Sequence, residues 1–370
     1  MISIVAPVKD EEKVVGRLLK ALLRLNYPRE KMEILIVEDG SADGTFEICR
    51  EYAQRYPRLV RLLHKPISDG KPSALNFAVK HARGEVLAVF DADSVPEADV
   101  LLKAAGFFED SRVAAVQGRP LSINAEENML TKFVSYEEAV EFEAYIRGKD
   151  VLNLFVPLMG SCYFVRKNAL ERVGGWDEKA LSEDMELAAR LTAEGFTVKY
   201  AGELRSWQET PSTLQGFFKQ RARWFRGTME VGLKYGRLVK NFDKKSLDAE
   251  VTLAGPFIFL PCIALYLFTA YSIFTPFQQG EAFHFLANTT TAFTAVLLAL
   301  AGAALTYAAK PRKISNLLWL PFIYAYWTLQ NFVAFYAFMQ IVFRRPKRWV
   351  KTVKTGAATE TRFMPLDKTF

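Results

Sequence analysis

Glu85-Val-Leu-Ala-Val-Phe90 is followed directly by Asp91-Ala92-Asp93. The apolar run predicts a strand buried on both faces, and ligands of open α/β sheets bind at the carboxyl ends of such strands. Two aspartates separated by one small residue offer hard oxygen ligands, which suit Mg²⁺ or Mn²⁺ held together with substrate phosphates. The stretch therefore indicates a protein that handles a metal-bound phosphate ester. Taken alone, it is also typical of a solvated acidic turn after a strand.

Strand and helix patterns alternate before this stretch. Apolar runs predict strands at residues 2–6, 33–37 and 59–63, and helical spacing predicts helices at 14–25, 45–56 and 72–82. This alternation predicts an α/β fold with a mostly parallel, doubly wound sheet and right-handed crossovers. No G-x-G-x-x-G follows the first strand, so the phosphate loop of hydride-transfer enzymes is missing.

Uncharged apolar stretches dominate the last third of the chain. Residues 251–274, 286–309 and 314–343 contain no Asp, Glu, Lys or Arg, and each exceeds the ~18 residues that a membrane helix needs. Three such stretches flanked by basic clusters favour membrane helices over the buried helices of a soluble core. The chain begins with a predicted strand and lacks a signal-peptide pattern. We therefore expect residues 1–250 to stay in the cytoplasm.

The net charge of +7 is concentrated near the apolar stretches. Residues 251–370 carry eleven Lys and Arg against three Asp and Glu, which leaves residues 1–250 close to neutral. This distribution favours anionic lipid headgroups over nucleic acid as the partner. The three cysteines are scattered, which argues for reduced thiols and against a disulfide framework. The three histidines show no zinc-ligand spacing.

Residues 212–239 combine basic and large apolar side chains at helical spacing. The basic set is Lys219, Arg221, Arg223, Arg226, Lys234 and Arg237, and the apolar set is Phe217, Phe218, Trp224, Phe225 and Leu233. A basic face opposite large aromatics favours a helix that lies in the membrane interface. An ordinary surface helix of a soluble domain is the alternative.

Seven short motifs follow one another along the chain. They are Pro7-Val8-Lys9-Asp10-Glu11, residues 37–45, residues 69–76, Asp91-Ala92-Asp93, Gly160-Ser161-Cys162, Ser182-Glu183-Asp184 and Gln220-x-x-Arg223-Trp224. The ordered set resembles the processive-type family-2 glycosyltransferases, which include cellulose, chitin and hyaluronan synthases. The resemblance covers roughly residues 2–226. It implies a GT-A-type, Rossmann-like nucleotide-sugar-binding domain, followed by an interfacial amphipathic helix and a C-terminal transmembrane helical region.

The resemblance also implies roles for the residues at the strand ends. Asp39 would accept a hydrogen bond from a uracil ring, and Asp91 would help to bind the nucleotide sugar. Lys71 would place a point charge beside the diphosphate, although a solvated loop lysine is the simpler interpretation of that residue alone. Asp93 would hold a divalent metal, Mn²⁺ or Mg²⁺, on the diphosphate oxygens. Glu38 stands where the family has an aspartate, so its role is open.

Asp184 is the candidate general base. Inverting transfer needs a carboxylate that removes the acceptor hydroxyl proton as the anomeric carbon is attacked. Ser182-Glu183-Asp184 resembles the Thr-Glu-Asp of the family, with Glu183 as a substrate-binding residue. The same residues also suit the start of a helix, because serine caps helices and acids favour the first turn.

Gln220, Arg223 and Trp224 form the most specific motif. An arginine fork can bind a diphosphate through two parallel hydrogen bonds, and an indole ring can stack on an acceptor sugar. Trp224 as a membrane-interface anchor is the alternative. Gly160 and Ser161 resemble the acceptor-floor turn of the family, although Cys162 and the lack of a preceding aromatic residue loosen that match.

We expect four parts in the chain. They are a cytoplasmic catalytic domain (residues 1–211), amphipathic interfacial helices (212–248), a transmembrane region (249–343) and a basic cytoplasmic tail (344–370). Because the basic tail should be cytoplasmic, residues 314–343 are expected to form a hairpin or re-entrant segment around Pro321 and Gln330-Asn331. A single third pass is the alternative. Trp349-Val-Lys-Thr352 resembles the cytoplasmic Trp-x-x-Thr ending of family members.

The resemblance implies a multi-pass cell-membrane enzyme. It would move a sugar from a nucleotide sugar, most simply a UDP-sugar, to a growing polysaccharide or glycan with inversion. Membrane lipids are expected partners and nucleic acid is not. Transfer of one sugar to a lipid or polyprenyl-linked acceptor is an alternative, because members that glucosylate a single lipid also carry Q-x-x-R-W. A membrane-anchored nucleotide-sugar sensor would leave the base, metal site and acceptor platform unexplained.

Overall fold

The computed structural model describes residues 1–235, 243–274, 280–308, 314–347 and 351–356. The strands are Ile2–Val8 (β1), Met32–Asp39 (β2), Val60–Lys65 (β3), Val86–Val89 (β4), Val95–Pro96 (β5), Val113–Ser122 (β6), Tyr163–Arg166 (β7) and Thr197–Gln208 (β8). The first helices are Val15–Leu23 (α1), Thr45–Arg55 (α2), Lys71–His81 (α3), Val100–Phe107 (α4), Met129–Val140 (α5), Arg147–Val151 (α6) and Lys167–Arg172 (α7).

The remaining helices include the apolar C-terminal part. They are Glu183–Ala193 (α8), Leu214–Tyr235 (α9), Lys244–Ala254 (α10), Phe259–Phe274 (α11), Glu281–Ala308 (α12) and Leu320–Val342 (α13). A π-helical segment, Glu141–Ile146, continues α5, and 3₁₀ segments occur at Arg29–Lys31, Gly255–Ile258 and Ile314–Trp319. The expectations for Arg237, for the loop at residues 310–313, for Arg348 and Trp349 and for the tail beyond residue 356 lie outside the described residues.

One mixed sheet has the order β3-β2-β1-β4-β7-β6-β8-β5. Its first four strands are parallel, which confirms the prediction for that half. The other half of the sheet is mixed, because β7 lies antiparallel to both β4 and β6 and β5 lies antiparallel to β8, whereas β6 and β8 are parallel. Here α5, the π-helical segment and α6 follow one another without an intervening strand, so the strand–helix alternation that fixes a parallel crossover is absent.

Helices cover both faces of the sheet. Alternate residues of β1 point to opposite sides, so that Ile4 packs with α1 and α2 and Val5 packs with α3 and α8. Both side chains are fully buried. This explains why the strand reads as a continuous apolar run rather than as an alternating pattern. The carboxyl ends of β1, β2 and β4 therefore open at one edge, between two helical layers.

The C-terminal helices leave large apolar side chains exposed. Lys244–Leu267 and Phe283–Ala304 are long and apolar enough to cross a membrane by length and composition, and they overlap two of the three predicted spans. The third predicted span differs from the other two, because its helix, α13, packs against α9. Phe217 contacts Tyr326 and Phe218 contacts Tyr336.

The predicted hairpin in residues 314–343 is wrong. Leu320–Val342 is one continuous helix, and Pro321 lies in its first turn rather than in its middle. Proline is tolerated there because the backbone N–H groups of the first turn have no partner within the helix. Gln330 and Asn331 are buried against neighbouring helices and so do not mark a turn.

The basic side chains of α9 do not all form one outward face. Arg221 and Arg226 are buried, because they pair with Glu137 and Glu230. Lys219 remains exposed. The expected headgroup-facing basic surface is therefore smaller than the sequence pattern indicates.

Candidate active site

A cavity of about 400 Å³ opens at the carboxyl edge of the sheet. Every predicted site residue except Ser161 lines it; the lining members are Asp39, Lys71, Asp91, Asp93, Gly160, Glu183, Asp184, Gln220, Arg223 and Trp224. We call the part around Asp39, Lys71, Asp91 and Asp93 the sheet end. The part around Glu138, Glu141 and Trp224 is the helix end.

Asp39 is the last residue of β2 and is buried. Ser68 Oγ donates to its Oδ2 at 2.7 Å, the Gly70 amide donates at 3.2 Å, and Lys65 Nζ lies 3.3 Å from Oδ1. Gly40, directly after it, has φ +64°, a conformation that favours glycine. The loop turns sharply there and leaves the carboxylate at the cavity wall.

Glu38 has a structural role that the sequence left open. Its Oε1 accepts from the Ser41 amide at 2.5 Å, and its Oε2 lies 2.6 Å from His64 Nδ1. The side chain is 1 % exposed, and Glu38 does not line the cavity. Glu38 therefore fixes the loop after β2 and ties it to β3.

Lys71 begins α3 and reaches across the cavity. Its Nζ lies 2.7 Å from Asp91 Oδ1, donates to the Gly160 carbonyl at 2.8 Å and lies 3.4 Å from Glu183 Oε1. Burial alone would lower the pKa of Lys71, but Asp91 and Glu183 outweigh it and hold the pKa above its usual value. Lys71 therefore stays charged, and its ammonium group contacts three of the sequence motifs, those that contain Asp91, Gly160 and Glu183.

Asp184 lies in the first turn of α8. Burial and the neighbouring Glu183 raise the pKa of Asp184 to about 7, against the opposing charge of Lys71. Ser182 occupies the cap position, but its side chain makes no capping hydrogen bond. A carboxyl group with a pKa near neutrality at a cavity wall is suited to proton transfer.

Two glycines allow close packing around this carboxylate. Gly160 has φ +79°, and a Cβ there would lie 3.3 Å from Asp184 Oδ2. At Gly227 of α9, a Cβ would lie 2.1 Å from Ser182 Oγ. The turn at Gly160 therefore approaches Asp184 closely, and α9 approaches the neighbouring Ser182.

Ser161 lies behind the cavity wall rather than on it. Its Oγ accepts from the Asp91 amide at 3.1 Å and lies 3.0 Å from Ser94 Oγ. The residue is 1 % exposed. The structure therefore places Ser161 as a support for the Asp91–Asp93 turn, which corrects the expectation of an acceptor-floor residue.

Asp93 contacts a cation that the sequence did not reveal. Lys354 of the tail lies with its Nζ 2.6 Å from Asp93 Oδ2, and the Glu209 amide donates to the same oxygen at 2.8 Å. Burial alone would lower the pKa of Lys354, but Asp93, Asp91 and Glu11 raise it above its usual value. Among the described residues, no group of three acidic, His or Cys side chains is arranged to hold a metal ion, and Asp93 is the carboxylate in ion-pair range of this ammonium.

The tail segment 351–356 crosses the sheet end. Glu209 Oε2 accepts from the Thr355 amide at 2.8 Å and from the Gly356 amide at 3.3 Å. Gln220 Nε2 donates to Thr352 Oγ1 at 3.4 Å, so the Q-x-x-R-W motif contacts the tail. The sequence singled out Thr352 but gave no signal for Lys354 or Glu209, whose contacts join residues far apart in the chain.

Arg223 and Trp224 are neighbours in the sequence, but Arg223 interacts with the charged residues of the site, whereas Trp224 forms an aromatic part of the cavity wall. Burial lowers the pKa of Arg223, while Glu183, Asp184 and Asp91 oppose that change. Its guanidinium therefore belongs to the same charge cluster as Lys71. Trp224 is partly buried, with Arg221 Cζ 4.7 Å from the centroid of its ring, and its remaining surface lines the cavity.

The helix end carries carboxyl groups that the sequence analysis missed. Burial raises the pKa of Glu138 and of Glu141 to about 7, and nearby carboxylates add to the effect. Ser122 Oγ donates to Glu138 at 2.7 Å. Glu141 makes no side-chain hydrogen bond or ion pair within the described part of the chain. A π-helical segment begins at Glu141, and such segments occur frequently at functional sites. No sequence pattern predicted it.

The sequence profile described as "Glycosyltransferase like family 2" matches residues 2–227. The chain belongs to this family. The glycosyltransferase is 33 % identical over 239 residues to a beta-monoglucosyldiacylglycerol synthase of Nostoc sp., covering 64 % of this chain and 51 % of that protein. It is 30 % identical over 234 residues to a poly-beta-1,6-N-acetyl-D-glucosamine synthase of Staphylococcus epidermidis, covering 63 % and 56 %.

The glycosyltransferase spans about half the length of the curated relatives it matches. Its fold is similar to that of a mannosyltransferase from Pyrobaculum calidifontis in complex with GDP-mannose and Mn²⁺, with a TM-score of 0.64 and 22 % identity over 93 % of this chain and 88 % of that one. This likeness supports the GT-A-type α/β architecture with its mixed sheet. The match to the family profile confirms membership of glycosyltransferase family 2, and the processive type stays a prediction.

Proposed function

We propose that this chain is a membrane-associated inverting glycosyltransferase that moves a sugar from a UDP-sugar to a hydroxyl of a glycan or glycolipid. One observation carries the proposal: Asp184, Asp91 and Trp224 line the same cavity. A candidate base, a donor-binding carboxylate and an aromatic platform are the three parts that sugar transfer needs. Relatives named for polymer synthesis and for glycolipid synthesis support the reaction class.

The sheet end would bind the nucleotide diphosphate. Asp39, buried at the end of β2, would accept the N–H of the uracil ring. Lys71 and Arg223 supply positive charge beside Asp91, and Arg223 presents a fork that suits a diphosphate. Lys351 and Lys354 also line this end and add charge that would offset the negative charge of the leaving nucleotide.

Asp91, Asp93 and Glu11 would hold a divalent cation at the sheet end. Lys354 supports a cation at this position, because its Nζ lies 2.6 Å from Asp93 and these carboxylates raise its pKa. A bound Mn²⁺ or Mg²⁺ would stabilise the negative charge that develops on the leaving diphosphate. Asp93 is oriented for either cation by the Glu209 amide.

Asp184 would act as the base. Its oxygen would accept the proton of the acceptor hydroxyl while that oxygen attacks the anomeric carbon opposite the leaving group, which inverts the configuration. Burial and Glu183 raise the pKa of Asp184 towards the working pH, which suits proton transfer. Lys71, 3.4 Å from Glu183, limits this rise and keeps a fraction of Asp184 ionised.

The acceptor would enter at the helix end and stack on Trp224. Glu138 and Glu141 line this part of the cavity, and carboxylates accept hydrogen bonds from sugar hydroxyls but repel phosphates. The charge therefore favours a neutral glycan, diacylglycerol or glycolipid over a polyprenyl phosphate. Growth of a polysaccharide is the main proposal. Single transfer to a lipid is the second, supported by the match to the beta-monoglucosyldiacylglycerol synthase.

Product sizing tests the proposal and separates its two forms. Purified protein in lipid would be incubated with Mn²⁺ and a panel of labelled UDP-sugars, followed by gel electrophoresis and solvent extraction. A ladder or high-mass smear indicates a polysaccharide, and a one-sugar lipid product indicates single transfer. If no UDP-sugar is either transferred or slowly hydrolysed, the proposal is wrong.

A further inference from the structure

Arg221 lies against the ring of Trp224, and both side chains line the cavity. The two residues are three positions apart on α9 and therefore lie on the same helix face. Arg221 Cζ is 4.7 Å from the centroid of the Trp224 ring, a cation–π distance, and 5.4 Å from that of Phe217. The guanidinium thus contacts the indole ring, and the part of the ring that it leaves uncovered lines the cavity.

Arg221 is itself held by a single carboxylate. It is 7 % exposed, and its Nη2 lies 2.5 Å from Glu137 Oε2. No other carboxylate within the described residues lies in ion-pair range of Arg221, and its buried Nε has no hydrogen-bond partner there. A buried guanidinium that loses its ion-pair partner is left without that hydrogen bond and must move or rearrange, so the place of Arg221 depends on Glu137.

Glu137 is anchored from α13. Tyr326 Oη donates to its Oε2 at 2.6 Å, and Gln330 Nε2 donates to its Oε1 at 2.9 Å. The two donors are one turn apart on α13 and are 6 % and 4 % exposed. The opposite side of α13 exposes Phe332 and Phe335, as expected of a helix that contacts lipid. The chain of contacts therefore runs from α13 through Glu137 and Arg221 to Trp224.

We propose that Glu137 and Arg221 are positioning residues for the Trp224 platform, and that Tyr326 and Gln330 transmit this support from α13. The inference rests on the proposed function, in which Trp224 receives the acceptor. It assigns α13 a part in acceptor binding, although no α13 residue lines the cavity. Neither Glu137 nor Tyr326 would touch donor or acceptor.

A spectroscopic test needs no knowledge of the acceptor. The full chain, which contains six tryptophans, would be labelled with 5-fluorotryptophan, and the ¹⁹F signal of Trp224 assigned from Trp224→Phe. Glu137→Gln is expected to shift or broaden that signal, and Tyr326→Phe, a milder change that keeps the ion pair, should shift it less. Lys219→Gln, on the exposed side of α9, is the matched control and should leave it in place. An unchanged Trp224 signal in Glu137→Gln would overturn the inference.

Kinetics then separate positioning from mere structural support. With cellotetraose or dioctanoylglycerol micelles as the acceptor probe, Glu137→Gln should raise the acceptor KM about tenfold, and Tyr326→Phe about threefold. The donor KM and acceptor-independent UDP-sugar hydrolysis should stay within about twofold, and Glu137→Asp should restore part of the acceptor affinity. Equal losses in donor and acceptor parameters would contradict the inference. Failure of wild-type protein to hydrolyse or transfer any UDP-sugar would instead contradict the proposed function, while the ¹⁹F result would still decide the positioning.

Discussion

At the sheet end of the cavity the carboxylates come from the ends of neighbouring parallel strands, whereas at the helix end they come from α5 and its π-helical extension and lie beside Trp224 of α9. The sheet end concentrates cations around Asp91 and Asp93, namely Lys71, Arg223, Lys351 and Lys354. The helix end presents Glu138, Glu141 and an indole ring. The difference matches two ligands of different charge, a diphosphate and a neutral polyol, and we propose that Asp184 acts between them.

The largest expected loss of transfer activity comes from replacing Asp184, the candidate base. Asp184→Asn keeps the size of the side chain but removes its ability to accept a proton, so transfer should fall by about 10³-fold. UDP binding, measured by calorimetry, should change by less than about threefold, because the nucleotide contacts lie at the sheet end. Loss of UDP binding together with transfer would mean that Asp184 supports the fold.

The pH dependence of turnover tests the same residue. Asp184 must be ionised to act as a base and its pKa is raised to about 7 by burial and Glu183, so kcat should rise as the pH passes through about 7. Lys71 and Arg223, which face Asp184 from α3 and α9, oppose the rise in pKa. Lys71→Met should therefore move the midpoint of the profile upwards. A midpoint near 4, or one that Lys71→Met lowers, would contradict the assigned base.

Removing the ammonium group of Lys354 tests whether a metal ion binds at the sheet end. Lys354→Met takes away the ammonium at Asp93 Oδ2, so Mn²⁺ binding to donor-free protein should tighten about fivefold. Mn²⁺ titration followed by electron paramagnetic resonance measures this directly. Lys347→Met, whose Nζ pairs with Glu230 instead, is the matched control. Weaker Mn²⁺ binding in Lys354→Met would show that the lysine does not share the metal's position.

The helix end can be probed through stability. Burial and Glu137 raise the pKa of Glu141 from 4.5 to about 7, so the folded state binds more protons than the unfolded state between these values and loses stability as the pH rises through that window. Glu141→Gln removes the titration. Its Tm should exceed that of the wild type by about 2 °C at pH 8, and the difference should vanish near pH 4. Calorimetry that shows the same Tm difference at both pH values would contradict a raised pKa.

The sheet end was largely predictable from the sequence, because strand ends of a parallel sheet meet at one edge. Asp39, Asp91 and Asp93 each follow an apolar run, and the family resemblance singled out these three residues together with Lys71. The contact of Lys354 with Asp93 could not be predicted in this way, since the two residues lie far apart in the chain. No strand pattern connects the two residues.

The helix end was mostly out of reach of sequence reasoning. Trp224 was found through its motif, but Glu138 and Glu141 depend on a π-helical segment that has no sequence signature here. The contact of Arg221 with Glu137 depends on how α5, α9 and α13 pack. The sequence pattern of residues 251–343 is uniformly apolar, yet α13 has a polar side, because Tyr326 and Gln330 donate to Glu137 of α5 and Asn331 donates to Tyr266 of α11.

The most direct test of the two-ended cavity is a matrix of steady-state constants for Asp39→Asn and Trp224→Ala, each measured against donor and acceptor in lipid-reconstituted protein. The account predicts that Asp39→Asn raises the donor KM about tenfold with little change for the acceptor, and that Trp224→Ala does the reverse. Two variants that each raise both KM values equally would contradict separate donor and acceptor ends.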